Sequence, residues 1–292
     1  MDGSRPPERP LPSKSILLFG FLTALILWVR PSSPSPLAAE TTRGPSAQIL
    51  ATPSPSVLSP RATFDTLREV SNHVFRYTNE TRRKRNLPTL KKEPSLAAVA
   101  CAHSADMFRR DFFDHENPDG ELPQDRVVKR HRRFIGGASE NLYGQTRIYK
   151  GPDALAALMV EEWVNSPPHR ENLLDPLATH LGVCVLRRQN TLRATQVFAK
   201  IVAYLTDPFP RTVKPGTTLI VSIEKTFPPK SSIAQYDFWD PNIQRRISTP
   251  TIFNDTLQVP DTTGTFRPRF YVLESGQYVI HQGPEFKIQA RE

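Results

Sequence analysis

The chain has 292 residues, a formal net charge of +9 and two cysteines. Two cysteines exclude a disulfide-dense scaffold and a zinc site built from four cysteines. The positive charge favours binding to acidic surfaces, such as an anionic polysaccharide or lipid, but no sequence motif of a specific nucleic-acid-binding protein accompanies it.

An apolar run near the amino terminus predicts that the protein is exported. Residues 16–29 follow Lys14 and would form a helix of about 21 Å, shorter than the ~30 Å hydrocarbon core of a bilayer. The length favours a signal peptide within residues 1–39, cleaved after the small residues 37–39. The alternative is an uncleaved signal anchor, because Arg30 directly follows the run. In that case the protein reaches the membrane only through residues 16–29. Both interpretations predict a secreted or extracytoplasmic protein.

A linker rich in proline and serine follows, at residues 40–60. This composition cannot bury enough apolar surface to fold, so the folded part is expected to begin at about residue 61.

Apolar residues at helical spacing predict three helices in a first domain of residues 61–206. The helices cover approximately residues 64–86, 94–107 and 151–166, and two apolar strands follow at about 181–186 and 195–204. Helices followed by antiparallel strands predict an α+β layered fold. Glu162 falls on the apolar stripe of the third helix and is a candidate for an inward-facing carboxylate. The alternative is a glutamate at the edge of the stripe that reaches water.

Several polar residues of this domain are expected to be structural. His103 lies on the apolar face of the second helix, which is typical of a packed, hydrogen-bonded histidine. Cys101 and Cys184 are each expected to be small buried hydrophobic residues, and whether they form a disulfide is left open. The basic runs 82–85 and 129–133 are expected to be solvated charges at helix ends or in loops.

Short polar motifs near the ends of these elements are the candidates for a functional site. His115 is followed by turn residues, so its side chain is free to face a cleft. Glu140 follows a break at Gly136 and Gly137, and His169 comes directly after the prolines that end the third helix. Two imidazoles and a carboxylate that converge could bind a metal ion or transfer protons.

These motifs, taken in order, resemble the CAP superfamily in its bacterial form (cysteine-rich secretory proteins, antigen 5 and pathogenesis-related proteins). The similar segments are Leu96 to Met107, Phe113 to Gly120, Ser139 to Leu142, Trp163 to Leu174, Leu181 to Cys184 and Thr195 to Phe198. The resemblance covers about residues 67–204. Six motifs in the family's order make it specific, although each motif alone would be weak.

The resemblance implies an α–β–α sandwich whose cleft contains His115, Glu140 and His169. It also implies a divalent metal such as zinc on the two histidines, with Glu140 beside them. Eukaryotic members have a further glutamate where this chain has Ser166, and Glu162, one helical turn earlier, is the candidate to replace it. The cleft residues implied are therefore His115, Glu140, His169, Glu162 and Ser166.

The chain departs from the family pattern near this cleft. Ser139, Pro168 and Cys184 stand where the family has glycines, and Ala194 stands where it has an aromatic residue. The glycine losses reduce backbone freedom near the site.

Short apolar bursts separated by turn residues predict a small antiparallel β-sandwich at residues 207–292. This segment has no site motif, so a binding or spacer module is favoured over an enzyme domain. Its aromatic residues Phe238 and Trp239 are expected to pack in the core, with a sugar-binding platform as the alternative.

Three functions remain open from the sequence. The first is a non-catalytic extracytoplasmic protein that binds a metal or a small ligand in the cleft and contacts a component of the cell envelope. The second is a metal- or histidine-dependent hydrolase resembling a peptidase, although the chain has no serine or cysteine nucleophile motif and no His-Glu-x-x-His helix. The third is a structural envelope protein whose histidines and Glu140 only stabilise the fold. We favour the first, without catalysis.

Overall fold

The computed structural model describes residues 65–146, 151–226, 231–274 and 276–290. The predicted signal sequence or anchor at residues 1–39 and the linker at residues 40–60 lie outside these ranges. Within them, no helix is long and apolar enough to cross a membrane.

Five helices lie in the first part of the described chain. They are α1 (Arg68–Arg83), α2 (Pro94–Arg109), α3 (Pro123–Arg130), α4 (Pro152–Asn165) and α5 (Pro167–Leu174). All except α1 begin with proline, whose missing N–H costs no hydrogen bond in the first turn. Helices α1, α2 and α4 coincide with the predicted helices. Helix α3 was not predicted, because its two turns lie in a polar stretch where no apolar periodicity can be recognised.

The sheet of this first part has one long strand at its centre. Its strands are β1 (Asp65–Thr66), β2 (Lys91–Lys92), β3 (Phe134–Thr146), β4 (His180–Arg188) and β5 (Thr191–Leu205). Strand β5 pairs antiparallel with β3 on one side and with β4 on the other. Glu140 therefore lies inside a strand that is paired along its length with β5.

Helices cover both faces of this sheet. Helices α1, α4 and α5 pack on one face, against β4 residues such as Leu181 and Val183. Helices α2 and α3 pack on the other face, against Cys184 and Leu186 of the same strand. Because both faces are covered, β4 is apolar from Leu181 to Leu186 and does not alternate with polar residues there. The first part is thus the expected α–β–α sandwich, and the α+β fold class is confirmed.

One glycine allows helix α2 to approach the sheet closely. A Cβ on Gly182 would lie 2.2 Å from the backbone nitrogen of Ala97 and from the carbonyl carbon of Leu96. No side chain fits at such a distance, so this position of β4 requires glycine.

The two cysteines form a disulfide, which differs from the expectation of two separate buried hydrophobic residues. Cys101 of α2 is bonded to Cys184 of β4, with the Cα atoms 5.0 Å apart. The bond connects a helix to the sheet beneath it. Cys184 occupies a position at which the CAP pattern has glycine, so this chain uses the close packing of α2 to place a covalent link.

Among the described residues from 207 onward, all the regular elements are strands. They are β6 (Thr212–Val213), β7 (Thr218–Ile220), β8 (Ile223–Thr226), β9 (Ile233–Asp240), β10 (Arg245–Arg246), β11 (Thr251–Ile252), β12 (Thr256–Gln258), β13 (Gly264–Glu274), β14 (Gln277–Gln282) and β15 (Phe286–Ile288). Strand β13 pairs antiparallel with β9, β14 and β15. Phe238 is fully buried in this core, and Arg269 stacks on the ring of Trp239 at 4.6 Å. These contacts favour packing over a sugar platform.

The sheet continues across residue 206. Strand β8 pairs with the end of β5, and β14 meets β3 where Gln282 faces Gly136. One apolar cluster joins Ile135 and Val202 to the aromatic core of the second part. Contacts group the described residues into one compact unit. A division into two separate domains at residue 206 stays a prediction.

Arg82 of one basic run is buried and Arg132 of the other is half-buried, so the expectation of solvated charges was wrong for them. Arg82 is fully buried in α1. Its guanidinium donates to the carbonyl oxygens of Pro88, Leu173 and Asp175, at 2.8–2.9 Å. Arg132 donates to the carbonyl oxygens of Phe209 and Pro210 and so joins the two parts. A guanidinium has five donors, which suits it to loop ends where several carbonyls converge.

A buried histidine after α3 makes the stability of the fold depend on pH. The His131 side chain is 8% exposed, and the backbone N–H of Arg133 donates to its Nδ1. Burial lowers the pKa of His131 to about 4, although Glu93 opposes this effect. The histidine of an unfolded chain has a pKa of about 6.5, so between these values only the unfolded state binds the proton. This contribution to stability is therefore complete above pH 6.5 and is lost as the pH falls towards 4.

We expect His131→Asn to flatten the pH dependence of the free energy of unfolding. Asparagine keeps an acceptor for the Arg133 N–H but does not titrate, and the titration of His131 accounts for roughly 3 kcal/mol between the two pKa values. Urea denaturation at a series of pH values from neutral to about 5 measures this dependence. Equal slopes for wild type and His131→Asn would contradict the prediction.

Candidate functional site

Glu140 is the buried centre of the polar cluster. Its side chain is 0% exposed, and its two carboxylate oxygens have different partners. Oε2 accepts a hydrogen bond from Arg126 Nη2 at 2.9 Å, and Oε1 accepts one from His115 Nδ1 at 3.0 Å. His103 Nε2 lies 3.6 Å from Oε1. A buried carboxylate needs such partners, because desolvation of an unpaired charge costs several kcal/mol.

Arg126 of α3 connects Glu140 to the loop that carries His115. Its Nη1 donates to the carbonyl oxygens of His115 at 2.8 Å and Glu121 at 2.6 Å. The sequence interpretation missed Arg126 because it missed α3. The available signal was Pro123 at a helix start, followed by Asp125, whose carboxylate accepts from the Leu122 backbone N–H.

His103 has the structural environment expected of it. It is 1% exposed, and its Nε2 donates to the carbonyl oxygen of Asp114 at 3.0 Å. Burial lowers the pKa of His103, so the ring is neutral at pH 7. It supports the segment that precedes His115.

His169 lies on α5, and hydrogen bonds fix its ring and its backbone. Its Nδ1 is hydrogen-bonded to Ser166 Oγ at 2.8 Å, and its carbonyl oxygen accepts from Asn141 Nδ2 at 3.0 Å. Burial, and then the charge of His115, lower the pKa of His169. Both effects favour the neutral form of the His169 ring.

Side chains of α4 and α5 form hydrogen bonds with the outer edge of β3 beside this cluster. Beyond Gly136, this edge has no partner strand in the described part of the chain. Asn172 Nδ2 donates to the carbonyl oxygen of Glu140 at 3.0 Å, and Trp163 Nε1 donates to that of Leu142 at 2.8 Å. Two side chains thus satisfy carbonyls that would otherwise lack partners. This is the physical reason for the spacing of tryptophan, histidine and asparagine in the sequence from residue 163 to residue 174.

Glu162 is exposed, in contrast to the inward-facing position predicted for it. The buried stripe of α4 contains Leu155, Met159 and Trp163, and a residue one position before Trp163 points about 100° away. Among the described residues, none forms a hydrogen bond or an ion pair with its carboxylate. The alternative of a glutamate that reaches water therefore agrees with the structure, and a role for Glu162 in the cleft stays a prediction.

One protein family matches the sequence of this region. The model of the cysteine-rich secretory protein family, CAP, matches residues 75–198. This segment is a CAP domain. The family resemblance of the sequence motifs is confirmed.

Two curated proteins from Bacillus subtilis (strain 168) are similar to part of this chain. The uncharacterized protein YkwD is 34% identical over 110 residues, which are 38% of this chain and 40% of YkwD. The uncharacterized membrane protein YlbC is 38% identical over 118 residues, which are 40% of this chain and 32% of YlbC. The chain therefore spans two fifths or less of the length of these relatives.

The following solved structures each match less than half of this chain. An outer surface protein from Borrelia burgdorferi is 22% identical, with 48% of this chain and 99% of that chain covered and a TM-score of 0.42. An extracellular protein containing an SCP domain, from Bacillus anthracis str. Ames, is 34% identical, with 45% and 40% covered and a TM-score of 0.37.

The donor set of the CAP cleft fits a metal ion only in part. Within the described residues, no group of three or more His, Cys, Asp or Glu side chains is arranged to hold a metal ion. Glu140 is a poor ligand here, because Arg126 and His115 already occupy its oxygens and the guanidinium would repel a cation. Nε2 of His115 and Nε2 of His169 have no hydrogen-bond partner in this part of the chain. They are the two donors that fit.

Proposed function

We propose that this chain is an exported, non-catalytic binding protein whose CAP cleft binds a ligand between His115 and His169. A divalent metal such as zinc fits the two imidazoles, and water or groups of a further ligand would complete its coordination. An envelope component, such as an anionic polysaccharide or lipid, is the partner class that agrees with the net charge of +9.

One observation carries this proposal. The Nδ1 atom of each cleft histidine is bound within the protein, to the carboxylate of Glu140 or to the hydroxyl of Ser166. When Nδ1 carries the proton, Nε2 has the lone pair that a metal requires. Metal-binding histidines generally use their second nitrogen in this way, and a carboxylate that accepts from it makes the ring more basic. Glu140 is then the group that orients His115.

Two observations support export. The predicted apolar segment at residues 16–29 has the length of a signal peptide. The Cys101–Cys184 disulfide agrees with an oxidising compartment, because disulfides are rare in the reducing cytosol.

The same contacts disfavour a hydrolase. Glu140 would have to accept a proton from water as a general base, but hydrogen bonds from Arg126 and His115 already occupy its two oxygens. The structural alternative, in which the cluster only stabilises the fold, is separated from binding by the experiment below.

Calorimetric titration of the full chain with zinc tests the proposal. We expect wild type to bind, and His115→Ala and His169→Ala each to weaken binding by about tenfold or more, because each removes one of two imidazole ligands. Both rings are partly exposed, so the variants should keep the wild-type circular dichroism spectrum.

His73→Ala is the matched control, because His73 lies outside the cleft and bonds to Asp153. It should bind zinc as wild type does. Absence of zinc binding in wild type, or equal binding in all four proteins, would contradict a metal site in the cleft. If wild type does not bind and the cleft variants lower the melting temperature, the structural alternative is favoured.

A further inference from the structure

We propose that a second cavity, on the α2 and α3 side of Glu140, binds the phosphate group of a small anionic ligand. The cavity has a volume of about 550 Å³ and lies between α2, α3, the loop that joins them and Arg211. Neither His115 nor His169 lines it, so it is distinct from the cleft. The proposal goes beyond the function proposed above and does not depend on it.

Cationic side chains dominate the lining of this cavity. Six cationic residues line it, against three acidic ones, Asp106, Asp119 and Glu121. The cations are Arg109, Arg110, Arg126, Lys129, Arg130 and Arg211. Five of the six are arginines, whose planar fork donates two parallel hydrogen bonds to a phosphate.

Internal ion pairs neutralise only part of this charge. Arg110 binds both Asp106 and Asp119, and Lys129 binds Glu121. Arg126 is neutralised by Glu140. By contrast, Arg130 and Arg211 are exposed at the rim, and neither is paired with an acidic side chain in the described part of the chain. The rim thus keeps uncompensated positive charge.

The positive charge at this cavity also affects the pKa of the neighbouring Arg132. The pKa of Arg132 is lowered to about 10, first by burial and second by repulsion from Arg211. Arg211 also lines an adjoining cavity together with Arg132 and Lys287. The positive surface therefore extends from α3 to the strands of the second part, and the site is complete only when the two parts are packed together.

The floor of the cavity has polar atoms without partners. His103 and Arg126 are at least nine-tenths buried and line the cavity. His103 Nδ1 and Arg126 Nε are buried, and neither has a hydrogen-bond partner in the described residues. Buried polar nitrogens are normally satisfied. Arg126 Nε can donate to a phosphate oxygen, whereas His103 Nδ1 has a lone pair, because Nε2 donates, and would accept from a protonated phosphate oxygen or from water bound with the ligand.

Calorimetric titration of the full chain with inorganic phosphate, at constant ionic strength, tests the site. We expect binding by wild type and a dissociation constant about tenfold or more higher in the double variant Arg130→Gln/Arg211→Gln, because two charge-assisted contacts are lost. Both side chains are exposed, so the fold should be unchanged. The control Arg83→Gln/Arg85→Gln removes the same charge from exposed positions of another basic run and should bind as wild type does.

No phosphate binding by wild type would overturn the proposal. So would equal weakening by the two double variants, because that result would show a general effect of net charge.

A second arm distinguishes a free phosphate compound from a lipid headgroup. Sedimentation with vesicles containing phosphatidic acid is compared with sedimentation with phosphatidylcholine vesicles, for wild type and for Arg130→Gln/Arg211→Gln. Preference for phosphatidic acid that the variant loses and that free phosphate competes away identifies a headgroup. Binding of free phosphate without this preference identifies a soluble phosphate compound.

Discussion

The double variant Cys101→Ala/Cys184→Ala is expected to unfold with a free energy about 4.5 kcal/mol lower than wild type. The two cysteines are separated by 83 positions, and closing a loop of that length in the unfolded chain removes conformational entropy of this size at 25 °C. The bond connects α2 to the central sheet, so its loss also loosens the helix that carries His103. Urea denaturation at neutral pH, followed by circular dichroism, measures the difference.

A reducing agent provides the control for this prediction. It should destabilise wild type to the level of the double variant and leave the double variant unchanged. A thiol assay on denatured wild type should find no free thiol until the reducing agent is added. Equal stability of wild type and the double variant would show that the disulfide does not stabilise this fold.

Glu140→Ala is expected to lower the free energy of unfolding by about 3–5 kcal/mol, because it leaves the buried guanidinium of Arg126 without a counter-charge. The Arg126 side chain is only 8% exposed, so water cannot replace the carboxylate. The loss also removes the acceptor that orients His115, and zinc binding should therefore weaken by about tenfold or more in the same variant. Urea denaturation and calorimetry measure the two effects separately.

A double-mutant cycle isolates the ion pair. Adding Arg126→Leu to Glu140→Ala should recover part of the lost stability, since it removes the unpaired buried charge. Recovery is expected to be partial, because Arg126 also binds the carbonyl oxygens of His115 and Glu121. Glu116→Ala, at an exposed carboxylate next to His115, is the control and should change stability by less than about 0.5 kcal/mol. If Glu140→Ala also changed the free energy of unfolding by less than about 0.5 kcal/mol, the prediction would be contradicted.

Both predictions concern features that the sequence revealed incompletely. The sequence motifs identified Glu140 and the two cleft histidines. Motif residues such as Ser166, which binds the His169 ring, and Asn172, which binds the edge of β3, need fixed spacings, and such spacings can be recognised in a sequence. Arg126, the main partner of Glu140, was not identified. Its helix is two turns long, and its partner lies 14 positions away on a strand, so no local periodicity connects the two residues.

Arg82 and Glu162 show that sequence patterns predict the burial of a charged residue poorly. Arg82 is buried against expectation, and Glu162 is exposed against expectation. Arg82 belongs to a run of four basic residues and was expected in water, yet three loop carbonyls make it one of the largest fully buried side chains. Glu162 was expected on a buried stripe, but a small difference in helical phase leaves it exposed. Periodicity gives the angle of a residue about its helix only approximately, and polar groups supplied by distant loops are invisible to it.

The sequence by itself determined the α+β class, the helices α1, α2 and α4, the CAP family motifs and the all-strand character of the second part. These properties depend on local periodicity and on short spacings. Only the tertiary structure decided that Cys101 and Cys184 are paired, that Arg126 neutralises Glu140, that the sheet continues past residue 206 and that Arg130 and Arg211 share one cavity rim. Each of these depends on residues far apart in the chain meeting in space, and packing of the whole core determines such encounters.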